Sequence, residues 1–119
     1  MANLNRVVLL GNLTADPELR YLANGTPAAS FGLAVNTHLG TDEAGEAREE
    51  TCFVDVTVFG GLAEPVIDCL SKGSPVFVEG RLRLERWEDG QGVKRSKLSV
   101  VAKSVDFLPG GDRDEDSGT

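Results

Sequence analysis

Only one stretch of the chain, 62–72, has the spacing of apolar residues that an amphipathic helix requires. Its apolar stripe is followed by Lys72 and Gly73, which suit the end of a helix. Elsewhere the apolar residues fall in short runs rich in Val, Leu and Thr, and these runs are bounded by Gly, Asn and Pro. A chain of 119 residues with this pattern predicts one all-β domain with a single short helix.

The strand-like runs give the order of the elements along the chain. We predict five main strands, with a short extended piece at 18–22 after the first, and the strands cover 6–13, 28–37, 51–59, 75–87 and 93–108. The polar, acidic segment 38–50 predicts a mobile loop between the second and third strands. Because the helix falls between the third and fourth strands, the order predicts a five-stranded oligonucleotide/oligosaccharide-binding (OB) barrel over residues 1–109. The remainder, 110–119, predicts a disordered acidic tail.

The net charge of −7 is concentrated in two segments. Residues 112–119 contain four acids and one base, and residues 40–50 contain five acids and one base. The rest of the chain has ten acids and ten bases, so it is neutral. Within it, residues 81–97 contain six bases but only three acids. Both an ordinary solvated hairpin and a surface for a polyanion fit this concentration of bases.

Residues suited to catalysis or to metal binding are sparse. The single histidine, His38, falls in the predicted loop with no nucleophile beside it, and no phosphate-binding loop or metalloprotease motif is present. Cys52 and Cys69 lack the CxxC spacing of a zinc site, and we expect them to be reduced and partly buried. No apolar run approaches the roughly 20 residues of a membrane span, and the first residues do not resemble a signal peptide. These features predict a soluble intracellular protein with no enzymatic activity, cofactor or metal.

Two predicted strands place aromatic and basic side chains opposite their aliphatic rows. Alternation on the third strand turns Cys52 and three valines toward the core and leaves Phe53 and Phe59 on the other face. The fourth strand alternates bases and a ring along one face: Arg81, Arg83 and Trp87. Unpaired bases stack on aromatic rings while Lys and Arg bind their phosphates, so the pattern favours single-strand binding. Rings that fill a barrel end or an oligomer interface are the alternative interpretation.

Seven segments, in the right order between residues 3 and 108, resemble the bacterial-type single-stranded DNA-binding protein family. They are 5–12 (NRVVLLGN), 16–21 (DPELRY), 24–26 (NGT), 59–64 (FGGLAE), 70–74 (LSKGS), 78–82 (VEGRL) and 86–87 (RW). The resemblance implies an OB barrel without catalysis or cofactor, assembled as a homotetramer, with a dimer as the smaller alternative. It also implies sequence-independent coating of single-stranded DNA during replication, recombination and repair, in the cytoplasm at the nucleoid.

The resemblance also assigns roles to individual residues. The family's stacking aromatics fall on Phe53, Phe59 and Trp87, and a further stacking tryptophan falls on Leu39. The family's phosphate-binding cations fall on six residues: Arg6, Arg20, Lys72, Arg83, Arg86 and Arg95. With Arg81 from the alternation pattern, these cations and the three rings form the predicted DNA-binding set.

Several positions depart from the family pattern. Asp55, Gly61 and Glu85 stand where family members often have a base, and Val54 stands where a subunit-interface histidine is common. The missing ring at Leu39 and the acidic segment beside it reduce the expected attraction for DNA further. We therefore expect the family's activity with lower affinity or a smaller footprint.

Two partner questions stay open at the sequence level. Many family members end in an acidic tail with an apolar tip that docks replication and repair proteins, whereas residues 117–119 (SGT) supply no apolar tip. The chain is therefore either a short paralogue or a member that has lost this docking function. A second hypothesis is a primosome-type OB module that bridges proteins and binds single strands weakly. The three retained rings favour the DNA coat protein, and the weakened charge favours the interaction module.

Overall fold

The computed structural model describes residues 1–109. Along the chain it contains β1 (Val7–Leu13), β2 (Glu18–Tyr21), β3 (Pro27–Thr41), β4 (Ala47–Phe59), a 3-10 turn (Gly60–Leu62), α1 (Ala63–Cys69), β5 (Pro75–Glu88) and β6 (Lys94–Phe107). The predicted tail, 110–119, lies outside the described residues and stays a prediction. Within residues 1–109, no helix is long and apolar enough to cross a membrane.

The strands form one sheet that closes on itself. The hydrogen-bonded order is β1-β5-β6-β4-β3, and β1 returns to β3 through the pairs Asn12↔Ala34 and Leu13↔Leu33. This closure makes a five-stranded barrel, and the short β2 adds to it by pairing with the first half of β3. The only parallel junction among the described strands joins β4 to β6. With α1 between β4 and β5, the architecture confirms the predicted OB-type fold class.

The barrel interior is filled by side chains from alternate strand positions. Leu33, Val56, Val78 and Val100 are fully buried, and α1 adds Val66 to the same cluster. Each such residue contributes about 1.5–3 kcal/mol by leaving water. The barrel is therefore a packed core and offers no interior binding site.

The alternation predicted for the third strand holds only where that strand lies in the barrel. Val56 and Val58 are buried as predicted, but Cys52 is exposed because residues 47–53 extend beyond the barrel and are open on both faces. Cys69 is exposed at the end of α1. The prediction of partly buried cysteines is therefore wrong for both.

The segment 38–50, predicted as a mobile loop, is the outer part of a hairpin between β3 and β4. β3 continues to Thr41 and pairs with Ala47, where β4 begins. A register shift between His38 and Gly40 interrupts the ladder without ending it. The loop prediction is wrong because polar strands that are exposed on both faces lack a hydrophobic period.

The β3–β4 and β5–β6 hairpins close with turns of the same type. The turns begin at Asp42 and Asp89. In each turn, the aspartate Oδ1 atom accepts hydrogen bonds of 2.9 Å from the backbone N–H groups two and four residues further along the chain. Three residues after each aspartate, a glycine takes a positive φ, which is +86° for Gly45 and +81° for Gly92. The same local chemistry thus closes both hairpins, whose outer parts we call the acidic arm (residues 38–50) and the basic arm (residues 81–97).

α1 is shorter than predicted. Leu70 is extended and packs into the core, so the helix ends at Cys69 rather than near Lys72. Gly73, predicted as the helix cap, instead takes a φ of +91° in the turn before β5. The backbone N–H of Lys72 donates to Asp16 Oδ1 at 2.8 Å, which fixes this turn against the segment before β2.

Candidate nucleic-acid interface

Aromatic and charged side chains from β4, β5 and β6 share one outer surface of the barrel, which we call the aromatic–basic face. Its members are Phe53, Asp55 and Phe59 on β4, Arg81, Arg83, Glu85 and Trp87 on β5, and Arg95 and Lys97 on β6. Thr57 and Ser99 point to the same side but are buried. The ladder places Arg83 opposite Ser99 and Glu85 opposite Lys97. Because opposite residues of an antiparallel pair point to the same side, β5 and β6 build this face together.

The three predicted stacking rings differ in how open they are. The Phe53 side chain is 73% exposed and Trp87 is 46% exposed. Phe59 is half-buried, and the Arg83 guanidinium lies over its ring at 5.8 Å from the centroid. This distance is within the range of a cation–π contact. Phe53 and Trp87 are thus open for stacking, whereas Phe59 supports an arginine.

The two acids that replace family bases are both engaged on the face. Lys97 Nζ lies 2.8 Å from Asp55 Oδ2, and this hydrogen bond raises the pKa of Lys97 against a smaller opposing effect of desolvation. Ser99 Oγ donates to Glu85 Oε2 at 2.5 Å, and Arg83 lies 3.7 Å from the same oxygen. Asp55 and Glu85 therefore offset the positive charges of Lys97 and Arg83 on this face.

A groove of about 360 Å³ continues from the face toward β2. Its ionisable lining consists of four acids and two bases: Asp16, Glu18, Asp55, Glu85, Arg20 and Lys97. Arg20 is thereby brought to the edge of the face. Lys72 is connected to the groove by its backbone N–H, which donates to Asp16. Within the described part of the chain, no group of three or more His, Cys, Asp or Glu could hold a metal ion.

Trp87 stands near the tip of the basic arm beside a cavity of about 510 Å³. Its ladder partner Arg95 also lines this cavity, with Lys94 next to it. Arg95 Nε lies 3.0 Å from Asp89 Oδ2, so this arginine is tied to the turn. The backbone N–H groups of Val93 and Gln91 are the main cause of the lowered pKa of Asp89, and Arg95 adds to it.

Three predicted positions lie away from the face. Arg86 alternates to the opposite side of β5, where it faces Ser96, although it also borders the Trp87 cavity. Arg6 precedes β1 and forms an ion pair with Glu79 at 3.0 Å. Leu39, where the family has a ring, is half-exposed on the acidic arm. The fold thus assembles Arg81, Arg83, Arg95 and the three rings on one face and distributes the other four predicted cations around it.

Sequence reasoning missed Lys97 as a site residue. It lies at the centre of the face, between Asp55 and Glu85. Pairing the fourth and fifth predicted strands around the predicted turn at 88–92 would have set Glu85 opposite Arg95, because that turn is centred on Gly90. The ladder is centred on Gln91 instead, so it sets Glu85 opposite Lys97 and Glu88 opposite Lys94, and the predicted turn could not reveal either lysine.

Comparisons with known proteins identify a family and a shared fold. The model of the single-strand binding protein family matches residues 4–108. The chain is 44% identical to a single-stranded DNA-binding protein of Helicobacter hepaticus, over 97% of this chain and 69% of that protein. It is 49% identical to the single-stranded DNA-binding protein of Wolinella succinogenes, over 87% of this chain and 64% of that protein. Among solved structures, Plasmodium falciparum SSB in complex with ssDNA shares the fold, with a TM-score of 0.81 and 22% identity, over 91% of this chain and 97% of that chain.

Proposed function

The chain belongs to the single-strand binding protein family, and from that membership we propose that it binds single-stranded DNA without sequence preference. The observation that supports the proposal is the pair of open rings, Phe53 and Trp87, on a face that also presents Arg81 and Arg83. Stacking tolerates every base because each has a π-face, while the arginines bind the phosphates. Such binding would protect exposed strands during replication, recombination and repair. It needs no catalytic group and no cofactor.

The proposal gives each residue a separate contribution. Phe53 and Trp87 stack on bases, and Phe59 holds the Arg83 guanidinium at the surface. Arg81 and Arg83 bind phosphates on the face, while Arg20 and Lys72 bind them along its edge. Arg86 and Arg95 bind phosphates of the DNA along the basic arm, and Arg6 binds them at the start of β1. Cations that already have a carboxylate partner contribute less than free ones.

A titration with oligo(dT) tests this function directly. Trp87 is the only tryptophan, so quenching of its fluorescence reports a base that stacks on it. Trp87→Ala and Phe53→Ala should each weaken binding roughly 5- to 150-fold, the equivalent of about 1–3 kcal/mol per stacked base. DNA binding by Phe53→Ala is measured from Trp87 fluorescence, and DNA binding by Trp87→Ala is measured from an electrophoretic mobility shift.

Tyr21→Ala is the matched control, because this exposed ring lies on β2 and outside the face. It should bind oligo(dT) like the parent. If the parent protein binds neither oligo(dT) nor duplex DNA, the DNA-binding proposal fails, and the interaction-module hypothesis becomes the better one. If Tyr21→Ala and Trp87→Ala weaken binding equally, the face is wrongly assigned.

We also propose that copies of the chain associate through the outer surface of β1. Val8 and Leu10 are 48% and 57% exposed there, and Leu10 stands opposite the half-buried Phe77 of β5. An apolar strip of this kind on a barrel strand is better covered than left in water. Sedimentation should show a homo-oligomer, a tetramer or a dimer, and Leu10→Glu should dissociate it. A monomeric parent at micromolar concentration would contradict this proposal and leave the DNA-binding face unaffected.

A further inference from the structure

A groove of about 600 Å³ lies beyond the Arg81 end of the aromatic–basic face, and we call it the bulge groove. The residues before β1 form one of its sides, and the adjoining parts of β5 and β6 form the others. Its charged lining consists of three bases and one acid: Arg6, Arg81, Lys103 and Glu79. The sequence analysis did not single out Lys103, and nothing in the proposed face uses it.

An irregularity in the β5–β6 ladder turns Lys103 into this groove. Glu79 pairs with Ser104 and Gly80 with Ala102, so Lys103 is an extra residue without a partner on β5. A bulge of this kind redirects a side chain. A Cβ atom on Gly80 would lie 2.1 Å from the Val101 carbonyl oxygen, so the two strands can approach this closely only at a glycine.

The opposite side of the groove is held in place by Asn5. Its Nδ2 donates to the Leu82 carbonyl at 2.8 Å, and its Oδ1 accepts the Leu82 N–H at 2.8 Å. These two bonds fasten the segment before β1 alongside β5. Arg6 is consequently fixed beside the groove, where its Nε lies 3.0 Å from Glu79.

The groove has an uncompensated positive charge. Glu79, its one carboxylate, is paired with Arg6. Arg81 and Lys103 are exposed and form no ion pair with any residue in 1–109. Two free cations therefore face one cavity in a chain whose net charge is −7. Their chemistry suits the phosphates of a polyanion.

We propose that the bulge groove binds the phosphates of single-stranded DNA where the strand leaves the aromatic–basic face. Arg81 belongs to both surfaces, since it lies two residues from Arg83 on the same side of β5. A strand that stacks on Trp87 and follows β5 past Arg83 reaches Arg81 and Lys103 next. The inference rests on the proposed DNA-binding function, and it adds Lys103 to the site.

The test measures how oligo(dT) affinity depends on salt in the full-length chain. The variants are Lys103→Gln and the double variant Arg81→Gln, Lys103→Gln, both at exposed positions. Each phosphate contact contributes about −0.7 to the slope of log K against log salt for single strands. Losing two contacts should flatten the slope by about 1.4. When salt rises from about 50 to about 200 mM, the fold-decrease in affinity should therefore be about seven times smaller for the double variant than for the parent. Lys103→Gln alone should give about half the change in slope.

Arg48→Gln is the matched control, because it removes one positive charge from the acidic arm. Its slope should equal that of the parent. If Lys103→Gln also keeps the parental slope while Trp87→Ala still weakens binding, the groove proposal is wrong and the proposed function stands. A changed sedimentation mass with an unchanged slope would also overturn it, since the groove would then hold the acidic arm of a second copy. A parent that does not bind oligo(dT) would overturn both proposals.

Discussion

Replacing Asp55 with Asn tests whether ion pairs on the face limit DNA binding. Asp55 holds Lys97 at 2.8 Å, yet both side chains are largely open, with exposures of 61% and 45%. An exposed pair contributes only about 0.2–1 kcal/mol to folding, so Asp55→Asn should stay folded. Removing the carboxylate frees the Lys97 ammonium for a phosphate. The slope of log K against log salt should therefore steepen by about 0.7, with tighter binding at low salt.

The assay is an oligo(dT) titration followed by Trp87 fluorescence at several salt concentrations. Asp68→Asn is the matched control, because it removes the same charge from an exposed position on α1. The gain in Asp55→Asn should disappear in a Lys97→Gln background, since a double-mutant cycle isolates the coupling between the two side chains. A gain that persists without Lys97, or that Asp68→Asn reproduces, would refute the reasoning.

Two further predictions concern the frame that holds the site. Gly80→Ala should lower Tm by about 5 °C or more, because a Cβ placed 2.1 Å from the Val101 carbonyl oxygen overpacks the β5–β6 bulge at a cost of about 1–3 kcal/mol. Gly61→Ala, whose Cβ would meet nothing within 4 Å, is the control, and equal melting of the two variants would contradict this packing argument. The pKa of Asp89 in the folded protein is lowered from its ordinary value of 3.8. The carboxylate therefore stabilises the turn fully above pH 3.8, and this stabilisation is lost as the pH falls through the lower pKa of the folded state. Trp87 emission should therefore change in strongly acidic solution, and Asp89→Asn should abolish that transition, whereas an identical acid transition in the variant would count against the role of the carboxylate.

The barrel could be predicted because most of its signals are local. Alternating valines identify the buried part of β4, and the Asn24-Gly25 turn separates β2 from β3. The acidic arm had no such hydrophobic period, since residues 47–53 are exposed on both faces. Its one usable signal was the spacing from Asp42 to Gly45, which matches the spacing in the basic arm's turn. Turn chemistry, rather than hydrophobicity, was the better guide there.

The sequence predicted which side chains share the candidate face, but it did not predict the ion pairs between them. Two-residue alternation places Phe53 and Phe59 together without any knowledge of tertiary structure. The pairing of Lys97 with Asp55 depends on the parallel junction between β4 and β6, which brings together residues 42 positions apart. The exposure of Lys103 depends in turn on a bulge opposite Gly80. No local pattern encodes either arrangement.

The salt dependence of the parent protein follows from the way its cations are paired. Of the seven predicted DNA-binding cations, three already have a carboxylate partner: Arg6, Arg83 and Arg95. A phosphate that meets such a pair meets a locally neutral group, so few counterions are released from the DNA. The four unpaired members together with Lys103 should give a slope of about −3.5, whereas all seven acting freely with Lys97 and Lys103 would give about −6.3. Oligo(dT) titrations of the parent from low to moderate salt measure the slope directly. A value of about −6.3 would mean that the carboxylates release their partners on binding, and Asp55→Asn would then leave the slope unchanged.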